Sequence, residues 1–268
     1  MDTSPLLIPP HTPVRLAERD PADTSLFRDK DAAKEQSLKD GAAIDILQDK
    51  LYAEGRRALL VILQGTDTSD KDGTVRHVFS QTGPLGVSVT AFGTPSKDEL
   101  AHDYLWRAHL ACPRRGTIGI FNRSHYEDVL IARVRALAPP EDIEKRYRQI
   151  NDFERMLTEN GTTILKCMLH ISKDEQRERL QRRLDRKKGR WKFQPGDLED
   201  RKLWDDYQRA YEIMLERCST EWAPWHVIPA DHKWARNAAI AALVRETLER
   251  MDPQYPEVPW DPKDFTVV

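Results

Sequence analysis

"ALLVILQGTDTSDKDGTVRHV", residues 58–78, decides the fold. Residues 58–63 are wholly apolar, as in a strand buried on both faces of a sheet. A polar loop follows at 65–73, and "TVRHVFSQ" begins a helix. Strand, loop and helix in that order are the setting in which Gly, four residues, then Gly-Lys-Ser/Thr cradles phosphate on backbone N–H groups. Gly65 and Lys71 stand where that pattern wants them. Asp70 replaces the second glycine, and Asp72 replaces the hydroxyl residue. A glycine at 70 relaxes φ and ψ and lets the backbone approach phosphate closely. A carboxylate there is repelled unless it points away or a cation intervenes. Asp67 and Asp72 are easier to accommodate, because Mg²⁺ takes hard oxygen ligands and phosphoryl transfer needs it.

Outward from this unit, apolar runs and helical stretches alternate. "VSVTAF" (87–92), "TIGIF" (117–121), "TTILKCMLHI" (162–171) and "WHVIPA" (225–230) read as further strands. Ile44, Leu47 and Leu51 recur at helical spacing in a helix from Asp31 to about Gly55. "SKDE" at 96–99 is a capping box that predicts a helix through Leu110, and the same four letters at 172–175 cap another. Helical stretches are expected over 125–137, 141–160 and 234–250, with Gly161 as a C-terminal stop. Five strands alternating with helices imply an α/β fold, a five-stranded parallel sheet sandwiched by helices. Residues 1–30, rich in Pro and Asp, read as an extended N-terminal arm; 31–268 form a single domain whose Pro-rich tail spans 252–268.

Composition narrows the function. The chain has 268 residues, 32% of them charged, and a formal net charge of -2, which argues against a general nucleic-acid binder. Cys112, Cys167 and Cys218 show no pairing or metal spacing and read as reduced thiols of a cytoplasmic protein. "MDTSPLLIPPHTPV" lacks the basic and apolar regions of a signal peptide, and no run reaches membrane-spanning length. Residues 177–192 hold nine Lys and Arg against two acids, a concentration unusual in an acidic chain. With Gly189 breaking the helix, the segment 177–203 reads as a basic lid over the phosphate loop, which would screen the transferring group from water. A nucleic-acid patch is the competing reading of that run.

The second half of the site is "GIFNRSHYEDVLIARV" (119–134), polar at the carboxyl end of a strand, where open α/β sheets bind ligands. Arg123 is a planar donor suited to bidentate phosphate contact. Glu127 and Asp128 open the next helix, where the dipole alone also favours acids.

With "HDYLWR" (102–107), "WKFQPGDLEDR" (191–201) and "PWHVIPADHKWARN" (224–237), these segments resemble the polyphosphate kinase 2 family of P-loop phosphotransferases over roughly 45–265. "NRSHYEDV" is similar to the class acting on both AMP and ADP. The resemblance implies a P-loop kinase-like fold and phosphoryl transfer between inorganic polyphosphate and adenine nucleotides with Mg²⁺, or Mn²⁺ in its place. It implies that Lys71, Gly65, Asp72 and Gly73 bind phosphate, that Asp67 holds metal with Asn122 in the metal-supporting position, and that Arg123 contacts the transferring group. Glu127 and Asp128 would lie toward the nucleotide, and Arg133, Arg182, Arg183 and Lys192 would grip phosphate oxygens. A homo-oligomer, dimer or tetramer, is expected on the same ground. An ATP-dependent nucleoside monophosphate kinase, and a non-catalytic polyphosphate or nucleotide binder disabled at Asp70, remain the alternatives.

Overall fold

The apolar run at 58–63 becomes β2 (Ala58–Gln64), every residue of which is buried. In the computed structural model, which describes residues 2–267, it is the middle of the sheet. β4 (Ile118–Asn122) pairs with it in parallel on one side and β5 (Thr162–His170) on the other. β3 (Val87–Ala91) extends the sheet beyond β4, and β6 (Trp225–Pro229) extends it beyond β5. β3 and β4 thus lie on one side of β2, and β5 and β6 on the other. The carboxyl end of β2 is the switch point at which such sheets bind ligands.

Both faces are covered. Leu60 and Ile62 of β2 point into a core shared with Ile143, Ile150 and Met214 from α5 (Pro140–Glu159) and α8 (Trp204–Cys218). Leu59, Val61 and Leu63 point the other way, onto Ile44, Leu51, Ile240 and Val244 of α1 (Lys30–Glu54) and α9 (Lys233–Met251). The alternation along β2 is therefore hidden in the sequence because both faces are apolar.

Three expectations need correction. The sheet has six strands rather than five, because β1 (Leu7–Ile8) adds antiparallel to β6, with Leu7 opposite His226. A two-residue strand carries no readable periodicity; what makes it is the open edge of β6 and the burial of Leu6, Ile8, Val14 and Leu16. The capping box at 96–99 forms, with the Glu99 amide donating to Ser96 Oγ at 3.2 Å and the Ser96 amide to Glu99 Oε2 at 2.7 Å. Yet it yields only a 3₁₀ turn over Glu99–Ala101, and α3 (Trp106–Ala111) starts afresh. A cap satisfies the first amides but supplies no apolar face, and Leu100 lies exposed. The stretch 125–137 is likewise broken, into a 3₁₀ turn (His125–Asp128) and the short α4 (Ile131–Val134).

The β1–β6 seam carries an acid-sensitive group. His226 is buried and its Nδ1 lies 3.2 Å from the Lys166 carbonyl, which can only accept, so the proton sits on Nδ1. Burial pushes its pKa from 6.5 down to about 4. Between those values the unfolded chain binds the proton and the folded chain does not. Stability is therefore complete above about pH 6.5 and falls by on the order of 3 kcal/mol as pH drops toward 4. Urea denaturation at the two ends of this window measures the loss. His226→Gln is expected to flatten it, and an equally steep loss in that variant would assign the effect to other groups.

Candidate active site

At the carboxyl end of β2 the chain turns through Gly65 at φ 153°, where a Cβ would come within 2.7 Å of the Leu169 carbonyl and 2.8 Å of Ser69 Oγ. No other residue fits there. α2 (Lys71–Val78) begins after the loop with no side chain capping its first amides, which leaves them for an anion. Lys71 is buried under the loop, its Nζ donating to the Gly65 carbonyl at 2.8 Å and lying 3.4 Å from Ser69 Oγ. Burial, with Arg123 adding to it, pushes its pKa down to about 8.

Arg123 caps the neighbouring strand. Its amide donates to the Leu63 carbonyl, and its backbone is left-handed at φ 62°, which swings the side chain toward the loop. Its guanidinium is paired with the Asp67 carboxylate. Burial works against the arginine's charge, but Asp67 and Glu127 outweigh it and hold its pKa above the ordinary value. Asn122 Nδ2 donates to Asp72 Oδ1 at 2.6 Å, and Lys192 Nζ reaches Asp72 Oδ2 at 2.6 Å from the far side of the cleft.

These groups line a cavity of about 740 Å³. Its walls carry nine Lys and Arg against four Asp, an excess of five positive charges in a chain that is net negative. The basic run supplies most of them. α6 (Lys173–Asp185), started by Ser172 capping the Glu175 amide, presents Arg182 and Arg183, and the following turn presents Lys192. Arg183 pairs with Asp197 at 3.3 Å and donates to the Lys192 carbonyl, tying α6 to the turn and to α7 (Gly196–Lys202).

Not every candidate residue gathers here. Glu127 lines a smaller adjoining cavity of about 70 Å³ that shares Asp67 and Arg123 with the first and has Trp204, Tyr207 and Tyr211 in its wall. Burial pushes its carboxyl up, against the pull of Arg123 and Lys71. Asp128 turns to Arg146 at 3.5 Å, outside both cavities. Arg133 pairs with Glu144 at 2.8 Å and also lines neither cavity, because the break between the two short helical turns carries it away. Gly73 does not line the cavity; it lies beneath Asp70, whose carboxylate a Cβ at 73 would meet at 2.5 Å. Sequence reasoning assigned no role to Arg179, Lys233 and Arg236. Arg179 donates to the Thr68 carbonyl at 3.0 Å and Arg236 to the Ser69 carbonyl at 2.9 Å. Arg179 sat inside the basic run, and the other two inside "DHKWARN", with no spacing to mark them.

A mostly parallel sheet with an anion-ready loop at its switch point and a basic wall opposite defines a phosphate-handling α/β protein. The particular family follows from comparison: the chain belongs to the polyphosphate kinase 2 family, whose model matches residues 27–256. It is 55% identical over 239 residues to the AMP/ADP-polyphosphate phosphotransferase of Meiothermus ruber, covering 89% of this chain and 90% of that one. It is 45% identical over 223 residues to the ADP-polyphosphate phosphotransferase of Rhodopseudomonas palustris, covering 79% and 77%. The crystal structure of polyphosphate kinase 2 from Arthrobacter aurescens TC1 superposes with a TM-score of 0.93 at 44% identity, over 97% of this chain and 93% of that one.

Proposed function

We propose that this chain transfers the terminal phosphoryl group of inorganic polyphosphate to AMP and ADP, reversibly, as a cytoplasmic homo-oligomer. The observation that carries the reading is the excess of five positive charges around the 740 Å³ cavity over the phosphate loop. Clefts lined by one sign of charge concentrate counter-ions of the other, and a polyphosphate chain repeats its charge along its whole length.

In this reading Lys71 and the first amides of α2 hold the phosphates nearest the reacting end. Arg123, released from Asp67, takes the oxygens of the transferring group. The basic wall of α6 and the turn carrying Lys192 grips the rest of the donor and acts as a lid. Glu127 faces the nucleotide side through the smaller cavity. No three His, Cys, Asp or Glu cluster as a metal cage among the described residues. Mg²⁺ keeps several waters and takes one or two carboxylates plus phosphate oxygens. Asp67 and Asp72 would hold it, with Asn122 orienting Asp72. Mg²⁺, or Mn²⁺ in its place, would neutralise charge on the donor and the transferring group. The side chains then contribute position and fixed charge, and the nucleotide phosphate oxygen attacks in line without a covalent enzyme intermediate.

Formation of ADP from AMP and of ATP from ADP, with polyphosphate and Mg²⁺, tests this. Both products are expected. Turnover of AMP with ATP but none with polyphosphate would make the protein a nucleoside monophosphate kinase. Polyphosphate binding with no turnover from either donor would make it a binder.

A further inference from the structure

Asp70 breaks the phosphate-loop pattern and is nevertheless built into the loop. It stands at φ 70°, ψ 41°, the left-handed conformation a glycine would adopt freely. Asp and Asn are the side-chain-bearing residues that reach this region most readily. Its carboxylate, in the cavity wall, is held by two cations. Oδ2 receives Lys233 Nζ at 2.8 Å and Arg236 Nη2 at 3.3 Å, both from the first turn of α9. The carboxylate rests over Gly73, where any Cβ would come within 2.5 Å of it. The site is thus shaped around an acid at position 70.

What the acid serves is Arg236. That side chain is 1% exposed, and its guanidinium donates to the Ser69 carbonyl at 2.9 Å and to Asn237 Oδ1 at 2.7 Å. Among the described residues Asp70 is the one carboxylate in ion-pair contact with it. Arg179, the other buried arginine on the loop, has Glu175 at 2.7 Å. Each arginine therefore holds one loop carbonyl and has one acid, since a buried charge is tolerated only when paired. The loop needs such anchors. Thr68, a β-branched residue, is left-handed at φ 66°, a conformation that persists only where the surroundings impose it.

We infer that Asp70 is a positioning residue of the phosphate loop: its carboxylate neutralises the buried Arg236 that holds the Ser69 carbonyl, and so keeps the amides at the start of α2 in place. Glycine at 70 would satisfy the backbone and strand the arginine. The loop therefore works because of Asp70 and not despite it.

Two variants test this. Asp70→Asn keeps the shape and the left-handed tolerance and removes the charge. Asp70→Gly restores the general phosphate-loop pattern. In both, the amides of residues 66–74 are expected to exchange hydrogen about tenfold faster while those of β2 and β5 do not change, which shows the fold intact. The turnover number for ADP phosphorylation by polyphosphate, counted per folded molecule, is expected to fall about tenfold with the nucleotide KM unchanged; a general loss of stability would instead speed exchange in β2 and β5 as well. Loop exchange and turnover at or above the parent level in Asp70→Gly would overturn the inference. The kinetic arm rests on the proposed function and the exchange arm does not, so a parent protein silent in the assay would sink that function while loop exchange still decides the role of Asp70.

Discussion

Lys71→Met is expected to lower polyphosphate-dependent ATP formation by about 10²–10³-fold, the loss typical of removing one preorganised charge-stabilising donor. Methionine matches the length of the lysine stem and fills the same buried channel beneath the loop. What it lacks is the ammonium that now donates to the Gly65 carbonyl and reaches Ser69 Oγ. Burial brings that amine to about 8, so it is charged at neutral pH, and an arriving phosphate favours the charge further. Initial rates at saturating polyphosphate measure the loss. A fall of less than about tenfold would show that Lys71 only braces the loop and that Arg123 with the α2 amides carries the stabilisation.

The second large effect lies away from the cavity. Lys166→Met is expected to destabilise the fold by about 3–5 kcal/mol, the cost of removing one member of a buried ion pair. Lys166 is in the middle of β5, fully buried, with its Nζ 2.6 Å from Glu154 Oε2, 2.8 Å from the Tyr126 hydroxyl and 2.7 Å from the Cys218 carbonyl. Glu154 Oε1 accepts from Tyr126 at 2.8 Å and lies 3.4 Å from His125 Nε2. Burial disfavours the Glu154 charge, yet Lys166 and His125 outweigh it and hold its pKa below the ordinary value. Removing the lysine strands that carboxylate in the core. Urea denaturation should show the loss, and Lys166→Met combined with Glu154→Leu should recover most of it, because apolar replacement of both partners removes the unpaired charge. A single variant within about 1 kcal/mol of the parent would contradict this account and show that Glu154 is neutralised at little cost. His125 and Tyr126 come two and three residues after Arg123 in the chain, so this network also fixes the turn that aims Arg123 at the loop.

The local signals were legible where the physics is local. A wholly apolar six-residue run, a polar turn and a helix start identify β2, the loop and α2 from neighbouring residues alone. Ser172 capping the Glu175 amide is a contact within four residues, and so is the cap that ends in a mere turn at 99–101. The difference between those two lies outside the segment, in whether another element offers an apolar face. β1 escaped notice for the same reason: Leu7 and Ile8 become a strand only because β6 has an unpaired edge.

The site divides along the same line. Gly65 and Lys71 could be picked out as candidates from spacing and Arg123 from its place at a strand end, since a phosphate loop and a strand end are local arrangements. Arg133 shares a segment with Arg123 but was carried to Glu144, because the intervening chain breaks into two short turns. Asp70 shows the limit most clearly. Read along the chain it is a carboxylate where phosphate must come, a fault in the motif. In the folded protein it faces Lys233 and Arg236, more than 160 positions away, and it lies back over Gly73. Sequence alone determined which strand, loop and basic run make a phosphate site, because backbone geometry and charge density follow from near neighbours. Only the tertiary structure decided which way the Asp70 carboxylate points, because that depends on a buried arginine brought to it by the packing of α9 against the sheet.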